Sequence, residues 1–430
     1  MPPDFKTSLP DPMEELLTEA SRCVKCGRCL SVCPVFKETG REAGVARGKL
    51  ALIESAAAEE IKFSSKKLKD IISFCLLCGA CAENCPNLVE GDVIIQKARE
   101  VFTSKDNLSL PYRLALSHIL PSPGRMDEIH KAGKVLQPLF LRKVPSESGL
   151  NWRFSLVRDK KHRLLPPLAD EPFLQKHSRE EPPSNPSVAL FVGCVSNYVY
   201  PAIAEATLSI FQHLRISVLI PPEQACCGLM AFGTGITEVD RKLAQRNIEA
   251  FEFRDSIPIV AFCSSCSSHL KNYSELFEEE EWRSRAREFS QRVKDISEFL
   301  VEAGFPDKAD VKTVESSCRL TFHDPCHLRR KQGIFDQPRQ LLKNIKGSEF
   351  IETGKENLCC GSGGSFNLSH YDVSMNILRR RLVSIEKADV DTVVTSCMGC
   401  LLQFLDGLYQ EGKAIQVKHL SEILGETFPR

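Results

Sequence analysis

Two groups of five cysteines with almost the same spacing dominate the second half of the chain. The first group reads C-x31-CC-x35-C-x2-C and the second reads C-x32-CC-x36-C-x2-C, with corresponding positions 132 to 134 residues apart. A match at five positions with a nearly constant offset indicates an internal duplication. The fold must therefore contain one structural unit twice. The ten cysteines are Cys194, Cys226, Cys227, Cys263, Cys266, Cys326, Cys359, Cys360, Cys397 and Cys400.

Each group contains two adjacent cysteines followed by a glycine, in "QACCGLM" (224–230) and "NLCCGSG" (357–363). Adjacent Cα atoms are about 3.8 Å apart across a trans peptide, which is closer than the roughly 4.4–6.8 Å of ordinary disulfides. A disulfide within either pair is therefore disfavoured. We predict that both thiolates face one multinuclear metal centre, with Gly228 or Gly361 relaxing the turn. Zinc takes four ligands, whereas a cluster of several irons can use five.

Both units repeat the same order of predicted elements. A β-rich run enters the first cysteine, a helix follows, a short strand delivers the CCG turn, and after a second helix the last strand ends at the C-x2-C pair. Alternating strands and helices predict parallel sheets, and ligands gather at the carboxyl ends of such strands. The second helix places apolar residues at i, i+4 and i+7 for burial on one face. These residues are Ala244, Ile248 and Phe251, then Leu378, Leu382 and Ile385.

The first quarter of the chain contains two further cysteine runs, "CVKCGRCLSVCP" and "CLLCGACAENCP", which both read C-x2-C-x2-C-x3-C-P. This is the run of bacterial two-cluster ferredoxins, in which the fourth cysteine ligates the other cluster. Two zinc sites would need only four ligands each and give no reason to repeat a twelve-residue run ending in proline. We therefore predict two [4Fe–4S] clusters with crossed ligands, one on Cys23, Cys26, Cys29 and Cys85, the other on Cys75, Cys78, Cys81 and Cys33.

Helix-forming sequence surrounds the ferredoxin runs, in "DPMEELLTEASR", in residues 46–61 and in "GDVIIQKAREVF". We predict an α+β multidomain protein, with a helical two-cluster ferredoxin domain followed by two duplicated α/β, Rossmann-like CCG domains. Residues 164–187 are rich in proline and charge, which favours a connector over a packed core. The predicted boundaries are 1–105 for the ferredoxin domain, 106–187 for a helical or extended linker, and 188–317 and 318–430 for the two CCG domains.

Composition excludes several classes of function. The net charge is zero, so nothing favours nucleic acid as a partner. No stretch approaches 18 consecutive apolar residues and the N-terminus lacks the plan of a signal peptide. A cytoplasmic location is expected, with a peripheral position at the inner face of the membrane as an alternative. Nineteen cysteines in a reducing compartment favour metal ligation over disulfides. The chain has no G-x-G-x-x-G after a strand and no other flavin or nicotinamide fingerprint.

The motifs carry a family resemblance. The tandem CCG units resemble those of heterodisulfide reductase subunits, and the whole order of motifs resembles the iron–sulfur subunit of glycolate oxidase and of related D-lactate dehydrogenases. "VARGKLALI" (45–53) and "GCVSNYVYP" (193–201) fit that subgroup. The resemblance implies a subunit that relays electrons from an FAD-binding 2-hydroxy-acid dehydrogenase subunit, acting on glycolate or D-lactate, to a quinone or a protein acceptor. It also implies one or two further iron–sulfur centres at the CCG motifs, cubane or non-cubane.

Three alternatives remain open from the sequence. The CCG centres could cleave a disulfide directly, as the heterodisulfide reductase resemblance allows. The iron–sulfur subunit of anaerobic glycerol-3-phosphate dehydrogenase shares the architecture. A zinc-held scaffold would perform no redox work. Among the other residues, Cys318 lies outside every motif and is expected to be an ordinary thiol, whereas His323 and His327 flank Cys326 and have either a structural role or a role as hydrogen-bond donors to a cluster. "GSGGS" (361–365) lacks the ending of a phosphate loop.

Overall fold

The structure is a computed structural model that describes residues 11–62, 64–102, 114–144, 149–152, 163–179, 181, 183–252, 257–305 and 318–428. These residues divide into two compact units. The first unit comprises the described residues within 1–109, 230–237 and 361–377, and the second comprises those within 110–229, 238–360 and 378–430. The short segments that follow the two CCG turns therefore belong to the same unit as the ferredoxin runs.

The described part of residues 11–102 is helical and contains no strand. A buried core of Leu16, Leu50, Ile53, Ile94 and Ile95 holds the longer helices together. All three predicted helices are present, but the second ends at Ala57 because Glu59 adopts a left-handed backbone (φ 62°). The α-helices are α1 (Asp11–Ser21), α2 (Arg28–Val32), α3 (Pro34–Thr39), α4 (Ala46–Ala57), α5 (Lys66–Ser73), α6 (Ala80–Glu83) and α7 (Gly91–Phe102), and a 3₁₀ turn lies at Glu42–Gly44.

The described residues of the segment between the ferredoxin runs and the first CCG unit pack within the second compact unit. His130 bonds to Ala169 O at 3.0 Å, and the backbone N–H of Leu164 donates to Asp406 Oδ1 at 2.9 Å. Other parts of the predicted linker, including 106–113 and 153–162, lie outside the described residues. The elements are a π-helical turn (Ala115–Ile119), α8 (Pro123–Phe140), the antiparallel pair β1 (Leu141–Lys143) and β2 (Leu150–Trp152), and α9 (Phe173–His177).

The first CCG unit contains a four-stranded parallel sheet in the order β4-β3-β5-β6. The prediction of alternating strands and helices is confirmed, although the fourth strand has no clear signal in the sequence. Its elements are β3 (Val188–Phe191), α10 (Cys194–Tyr198), α11 (Pro201–His213), β4 (Val218–Leu219), α12 (Leu229–Thr234), α13 (Thr237–Phe251), β5 (Ile259–Ala261), α14 (Ser264–Leu270), a 3₁₀ turn (Tyr273–Leu276), α15 (Glu280–Arg292), β6 (Val293–Asp295) and α16 (Ile296–Glu302).

The second CCG unit repeats this arrangement, with strand order β8-β7-β9-β10 and all pairs parallel. In each sheet the first strand of the unit lies between the second and the third, so the duplication seen in the cysteine spacing extends to the topology. Its elements are β7 (Cys318–Phe322), α17 (Cys326–Gln332), α18 (Asp336–Lys343), β8 (Ser348–Phe350), α19 (Ser365–Ser369), α20 (Tyr371–Lys387), β9 (Thr392–Thr395), α21 (Met398–Gln410), β10 (Gln416–His419) and α22 (Leu420–Gly425).

One apolar core joins the two CCG sheets. It includes Leu190 and Phe262 from the first sheet and Leu320, Phe322 and Val394 from the second. The predicted buried faces of the second helices are confirmed, since all six apolar residues are buried. Because both sheets contribute to this core, the carboxyl ends of their strands are fixed relative to each other. No described helix is both long enough and apolar enough to cross a membrane.

Candidate iron–sulfur sites

The two ferredoxin runs form loops with matching backbone conformations. The residue before the second cysteine of each run is left-handed without being glycine, with φ 56° at Lys25 and 52° at Leu77. The next helix, α2 or α6, then starts directly after Gly27 or Gly79, which are also left-handed. A non-glycine residue in this region costs on the order of 1–3 kcal/mol and tends to mark a functional site. The same strain at the same position of both runs indicates that these loops are shaped around a group.

The structure places the fourth cysteine of the first run with the second run. Burial, and then the thiols of Cys75 and Cys78, raise the pKa of Cys33 to about 11. Cys33 also contributes to the raised pKa of Cys81, after burial, Asp92, Cys75 and Cys78. Four thiols therefore gather at one place. They are the set that the crossed arrangement predicts.

The first cluster's predicted ligands line a second recess. Cys23, Cys26, Cys29 and Cys85 all face it, and Cys81 reaches it as well. Among the described residues, no three of these sulfurs lie within 4.8 Å of one another. A tetrahedral zinc ion with bonds of about 2.3 Å would draw its sulfurs to about 3.8 Å. The wider spacing fits a cubane cluster better than a single ion. Cys26 is exposed whereas Cys78 is buried, so the first site is the one nearer to solvent.

Two buried cations lie beside the second run, and no pattern in the sequence predicts either. Lys49 is fully buried and its Nζ donates to Gly44 O at 2.7 Å. Burial lowers its pKa, while Cys75, Cys33 and Cys81 act in the opposite direction. Arg99, also buried, donates to Cys75 O at 2.6 Å. Positive charge next to a cluster stabilises its reduced form, which carries one more negative charge.

The segments after the CCG turns, 230–237 and 361–377, contact residues in or beside the ferredoxin helices of the same compact unit. Arg99 Nη1 donates to Gly233 O at 2.6 Å. In the later segment, the ring of Phe74 lies 5.4 Å from that of Phe366 and 4.7 Å from that of His370. Each CCG turn therefore continues directly into residues that contact helix α7 or Phe74, the residue just before the second ferredoxin run.

The ten cysteines of the CCG units form one continuous run of sulfur atoms. Each thiol is within hydrogen-bonding reach of the next, and the Sγ–Sγ distance between Cys360 and Cys400 is 3.3 Å. The two CCG units meet at Cys263 and Cys397, whose thiols are within hydrogen-bonding reach of each other. The order along the run is Cys194, Cys226, Cys227, Cys266, Cys263, Cys397, Cys400, Cys360, Cys359 and Cys326.

Serine residues form hydrogen bonds across the contact between the two CCG units. Ser264 N–H donates to Ser396 O at 2.8 Å, and the two hydroxyl oxygens are 2.6 Å apart. Ser265 Oγ lies 3.0 Å from Cys397 Sγ and 3.3 Å from His327 Nδ1. Ser264 and Ser265 follow β5, and Ser396 follows β9, which are the strands that lead into the two C-x2-C pairs. The sequence predicts both C-x2-C pairs but contains no information on the distance between them.

Some of these thiols have lowered pKa values, which favour the thiolate form. Hydrogen bonds from Cys226 and then Cys266 lower the pKa of Cys227 to about 6. Cys263 and then Cys400 lower the pKa of Cys397. Thiolates are the form that binds metal. Five neighbouring thiols per unit exceed the four that a zinc ion takes, so the donor set fits a group with several irons.

Glycine is required at both CCG turns. Gly228 has φ 93°, and a Cβ there would lie 2.0 Å from Asp240 Oδ1. Gly361 has φ 87°, and a Cβ there would lie 2.3 Å from Ser374 O. The predicted relaxation of the turn is thus accompanied by a steric reason, because a side chain at Gly228 would collide with α13 and one at Gly361 would collide with α20. Asp240 is itself held by His269 Nε2 at 2.9 Å.

A buried polar network holds the first pair of adjacent cysteines. Asn247 accepts from Ala225 N–H at 2.8 Å and donates to Cys226 O at 3.0 Å. Tyr273 donates its hydroxyl hydrogen to Cys227 O at 2.8 Å. Both backbone carbonyls of the pair are therefore fixed. Sequence reasoning missed these residues, because an isolated Asn on a helix and a Tyr in a loop have many uses.

Comparisons with known proteins agree with this geometry. The cysteine-rich domain family matches residues 188–271 and 320–405, and the 4Fe-4S dicluster domain family matches residues 19–89. A probable glycolate oxidase iron-sulfur subunit of Bacillus subtilis is 32% identical over 420 residues, covering 95% of this chain and 94% of the relative. The chain belongs to the family of glycolate oxidase iron–sulfur subunits. The order of motifs in the sequence predicts this family, and the comparison confirms it.

Other relatives place the family in a wider group. Lactate utilization protein A of an Exiguobacterium species is 32% identical over 250 residues, which is 56% of this chain and 98% of that protein. A subunit of the fumarate reductase (CoM/CoB) of Methanothermobacter marburgensis is 29% identical over 411 residues, covering 94% of this chain and 72% of the relative. A solved structure of a hypothetical protein from Helicobacter pylori shares the fold, with a TM-score of 0.52, 10% identity, and coverage of 89% of this chain and 66% of that one. The family is therefore one of iron–sulfur proteins that includes subunits of oxidoreductases.

Proposed function

We propose that the chain is the iron–sulfur electron-transfer subunit of a flavin-dependent 2-hydroxy-acid dehydrogenase complex. It takes electrons from an FAD-binding subunit that oxidises glycolate or D-lactate and passes them to a quinone or a protein acceptor. The observation that carries the proposal is the continuous run of ten sulfurs across both CCG units. A relative named as a glycolate oxidase subunit and one named for lactate utilization support the substrate class.

The proposed ligands are the eighteen cysteines of the four motifs. Two [4Fe–4S] clusters belong to the ferredoxin runs, and one or two further centres belong to the CCG units. The grouping of Cys33 with Cys75, Cys78 and Cys81 supports the crossed arrangement. Such clusters supply one-electron steps, whereas oxidation of a hydroxy acid to a keto acid releases two electrons and two protons. The flavin of the partner accepts both electrons, and this chain removes them one at a time.

The residues of the chain have separate tasks in this proposal. Lys49 and Arg99 place positive charge beside the second run, which favours its reduced state. Asn247 and Tyr273 fix the backbone of the first adjacent cysteines, so that little reorganisation accompanies a change of charge. No residue of the chain is assigned to hydride or proton abstraction.

The test separates the two half-reactions in stopped flow. The chain purified anaerobically should accept electrons from dithionite but should not oxidise glycolate or D-lactate. When the flavoprotein that copurifies with it from the native cell is added, substrate should bleach the cluster absorbance. Cys226→Ser and Cys359→Ser should slow transfer to the acceptor and leave reduction of the flavin by substrate within about twofold of wild type. Oxidation of the hydroxy acid by this chain alone would contradict the proposal.

A second candidate is direct thiol–disulfide chemistry at the CCG centres. The lowered pKa of Cys227 favours it, because a thiolate is the nucleophile in disulfide exchange. In that case the chain, without any flavoprotein but with reduced methyl viologen supplying the two electrons that each disulfide consumes, should cleave a small aromatic disulfide such as dithiobis(nitrobenzoate) into two thiols faster than the donor alone does. Cys226→Ser would then abolish turnover with the disulfide. A stoichiometric reaction that stops after the accessible thiols are consumed would favour the electron-transfer subunit.

A further inference from the structure

His323 occupies a buried position at the start of the second CCG site. It follows β7, and its backbone N–H donates to Val394 O at 2.8 Å, so the sheet fixes its place. Only 1% of the residue is exposed. The ring of Phe404 packs against the imidazole at 4.9 Å between centroids and an angle of 71°. The imidazole thus has little freedom to turn away.

The ring nitrogens of His323 have no partner of full hydrogen-bonding geometry in the part of the chain that the structure describes. The Cys360 thiol nevertheless lies within reach of the imidazole and interacts with it. A buried polar group left in this way destabilises the folded state. Such groups are rare in native proteins, and each calls for a specific explanation, such as a role in ligating a metal.

Two sulfurs of the second CCG unit lie next to this imidazole. A ring nitrogen of His323, Cys360 Sγ and Cys400 Sγ all lie within 4.8 Å of one another, and all three residues are buried. Among the described residues no other trio of His, Cys, Asp or Glu side chains brings its ligand atoms so close. Imidazole nitrogen and thiolate sulfur are both ligands of iron in iron–sulfur proteins.

The first CCG unit shows that the fold does not need a histidine here. The corresponding residue, at the same offset of 132 that relates Cys194 to Cys326, is Phe191. Phe191 is buried and its ring lies 6.1 Å from that of Phe251. An apolar ring therefore fills this position in one copy, while in the other copy a polar ring fills it and faces two cysteine sulfurs. The difference points to a function that the second unit has and the first lacks.

His327 provides an internal comparison. It lies in the same site and corresponds to Val195 of the first unit. Its Nδ1, however, is 3.3 Å from Ser265 Oγ and 3.7 Å from Cys326 Sγ. A hydrogen-bonding role accounts for His327, as the sequence allowed, but it does not account for His323.

We propose that His323 is a nitrogen ligand of the iron–sulfur group held by the second CCG unit, so that the two CCG centres differ in their donor atoms. This inference rests on the proposed iron–sulfur occupancy of the second unit. A neutral imidazole in place of a thiolate makes a cluster less negative and raises its reduction potential, as exchange of cysteine for histidine does in Rieske centres. The second centre then has a higher potential than the first, and electrons collect there.

The test uses the full-length chain, purified anaerobically and labelled with ¹⁵N in the histidine rings. Pulsed electron paramagnetic resonance of the partly reduced protein should show a strongly coupled nitrogen. His323→Phe, which reproduces the first unit, should remove this coupling, whereas His327→Val, which does the same at the neighbouring position, should retain it. His323→Cys should keep the iron content, remove the nitrogen coupling and lower the midpoint potential of one centre.

Iron and sulfide analysis separates the possible failures. If wild type contains its full iron but shows no strongly coupled nitrogen, or if the coupling survives in His323→Phe, the ligand assignment is wrong and the proposed function is untouched. If Cys359→Ser combined with Cys360→Ser leaves the iron content unchanged, the second unit holds no cluster. That result would overturn the occupancy and the ligand assignment together.

Discussion

Arg99 is expected to be a main determinant of the stability of the second ferredoxin loop. It is 7% exposed and makes three short hydrogen bonds to backbone carbonyls, to Cys75 O and Gly233 O at 2.6 Å and to Ser73 O at 2.7 Å. Hydrogen bonds to a charged group contribute about 1.5–3 kcal/mol each. With the low end for each, because the carbonyls can be hydrated when the loop opens, Arg99→Met should cost about 4.5 kcal/mol. The free energy of unfolding of a whole domain is about 5–15 kcal/mol, so this loss is a large part of it.

Hydrogen–deuterium exchange followed by mass spectrometry measures this loss locally. A change of about 4.5 kcal/mol in the free energy of opening corresponds to roughly a thousandfold faster exchange, because each 1.4 kcal/mol is about a factor of ten. Peptides that cover residues 70–78 and 230–237 should both respond. A joint response is expected because the Arg99 side chain bonds to both segments.

Lys97→Met is the matched control, because Lys97 lies on the same helix α7 and also loses a cation in the substitution. Its ion pairs with Glu15 and Glu19, at 2.8 and 3.1 Å, are partly exposed to solvent. Exposed pairs contribute about 0–1 kcal/mol, so exchange should rise less than tenfold. If Arg99→Met and Lys97→Met gave the same exchange rates in both peptides, the reasoning from buried carbonyl bonds would be refuted.

Three further results are expected. Cys85→Ala should remove the spectroscopic signal of the cluster on the first run and preserve that on the second, whereas loss of the second signal alone would contradict crossed ligation. Lys49→Met should lower the midpoint potential of the second-run cluster in a redox titration, because a buried positive charge beside the reduced cluster is lost; an unchanged potential would mean that Lys49 is structural. Burial lowers the pKa of His419 to about 4. Between pH 6.5 and 4 the unfolded chain therefore binds more protons than the folded chain, and the free energy of unfolding decreases as the pH is lowered. Urea unfolding should show a loss of about 2 kcal/mol between pH 7 and 5 from this group, and His419→Gln should lack that part of the slope.

The sequence predicts those parts of the protein that depend on local spacing. Alternating strands and helices determine that the cysteines lie at carboxyl ends of parallel strands, and the repeated offset predicts two copies of one unit. The fourth strand of each sheet was missed because Val293–Asp295 and Gln416–His419 are short and carry charge. The meeting of Cys263 with Cys397 depends on how two sheets share a core, which no spacing encodes. His323 is visible as a histidine beside a cysteine, but its missing hydrogen bonds appear only in three dimensions.

The composition of the first compact unit has a consequence for how the protein is made. Most of its helices come from residues 11–102, but the unit is completed by 230–237 and by 361–377. Both ferredoxin runs leave the ribosome long before these segments are synthesised. Until residue 233 has been made, Arg99 cannot form its bond to Gly233. The contacts around the second run are therefore complete only after the CCG units have been synthesised.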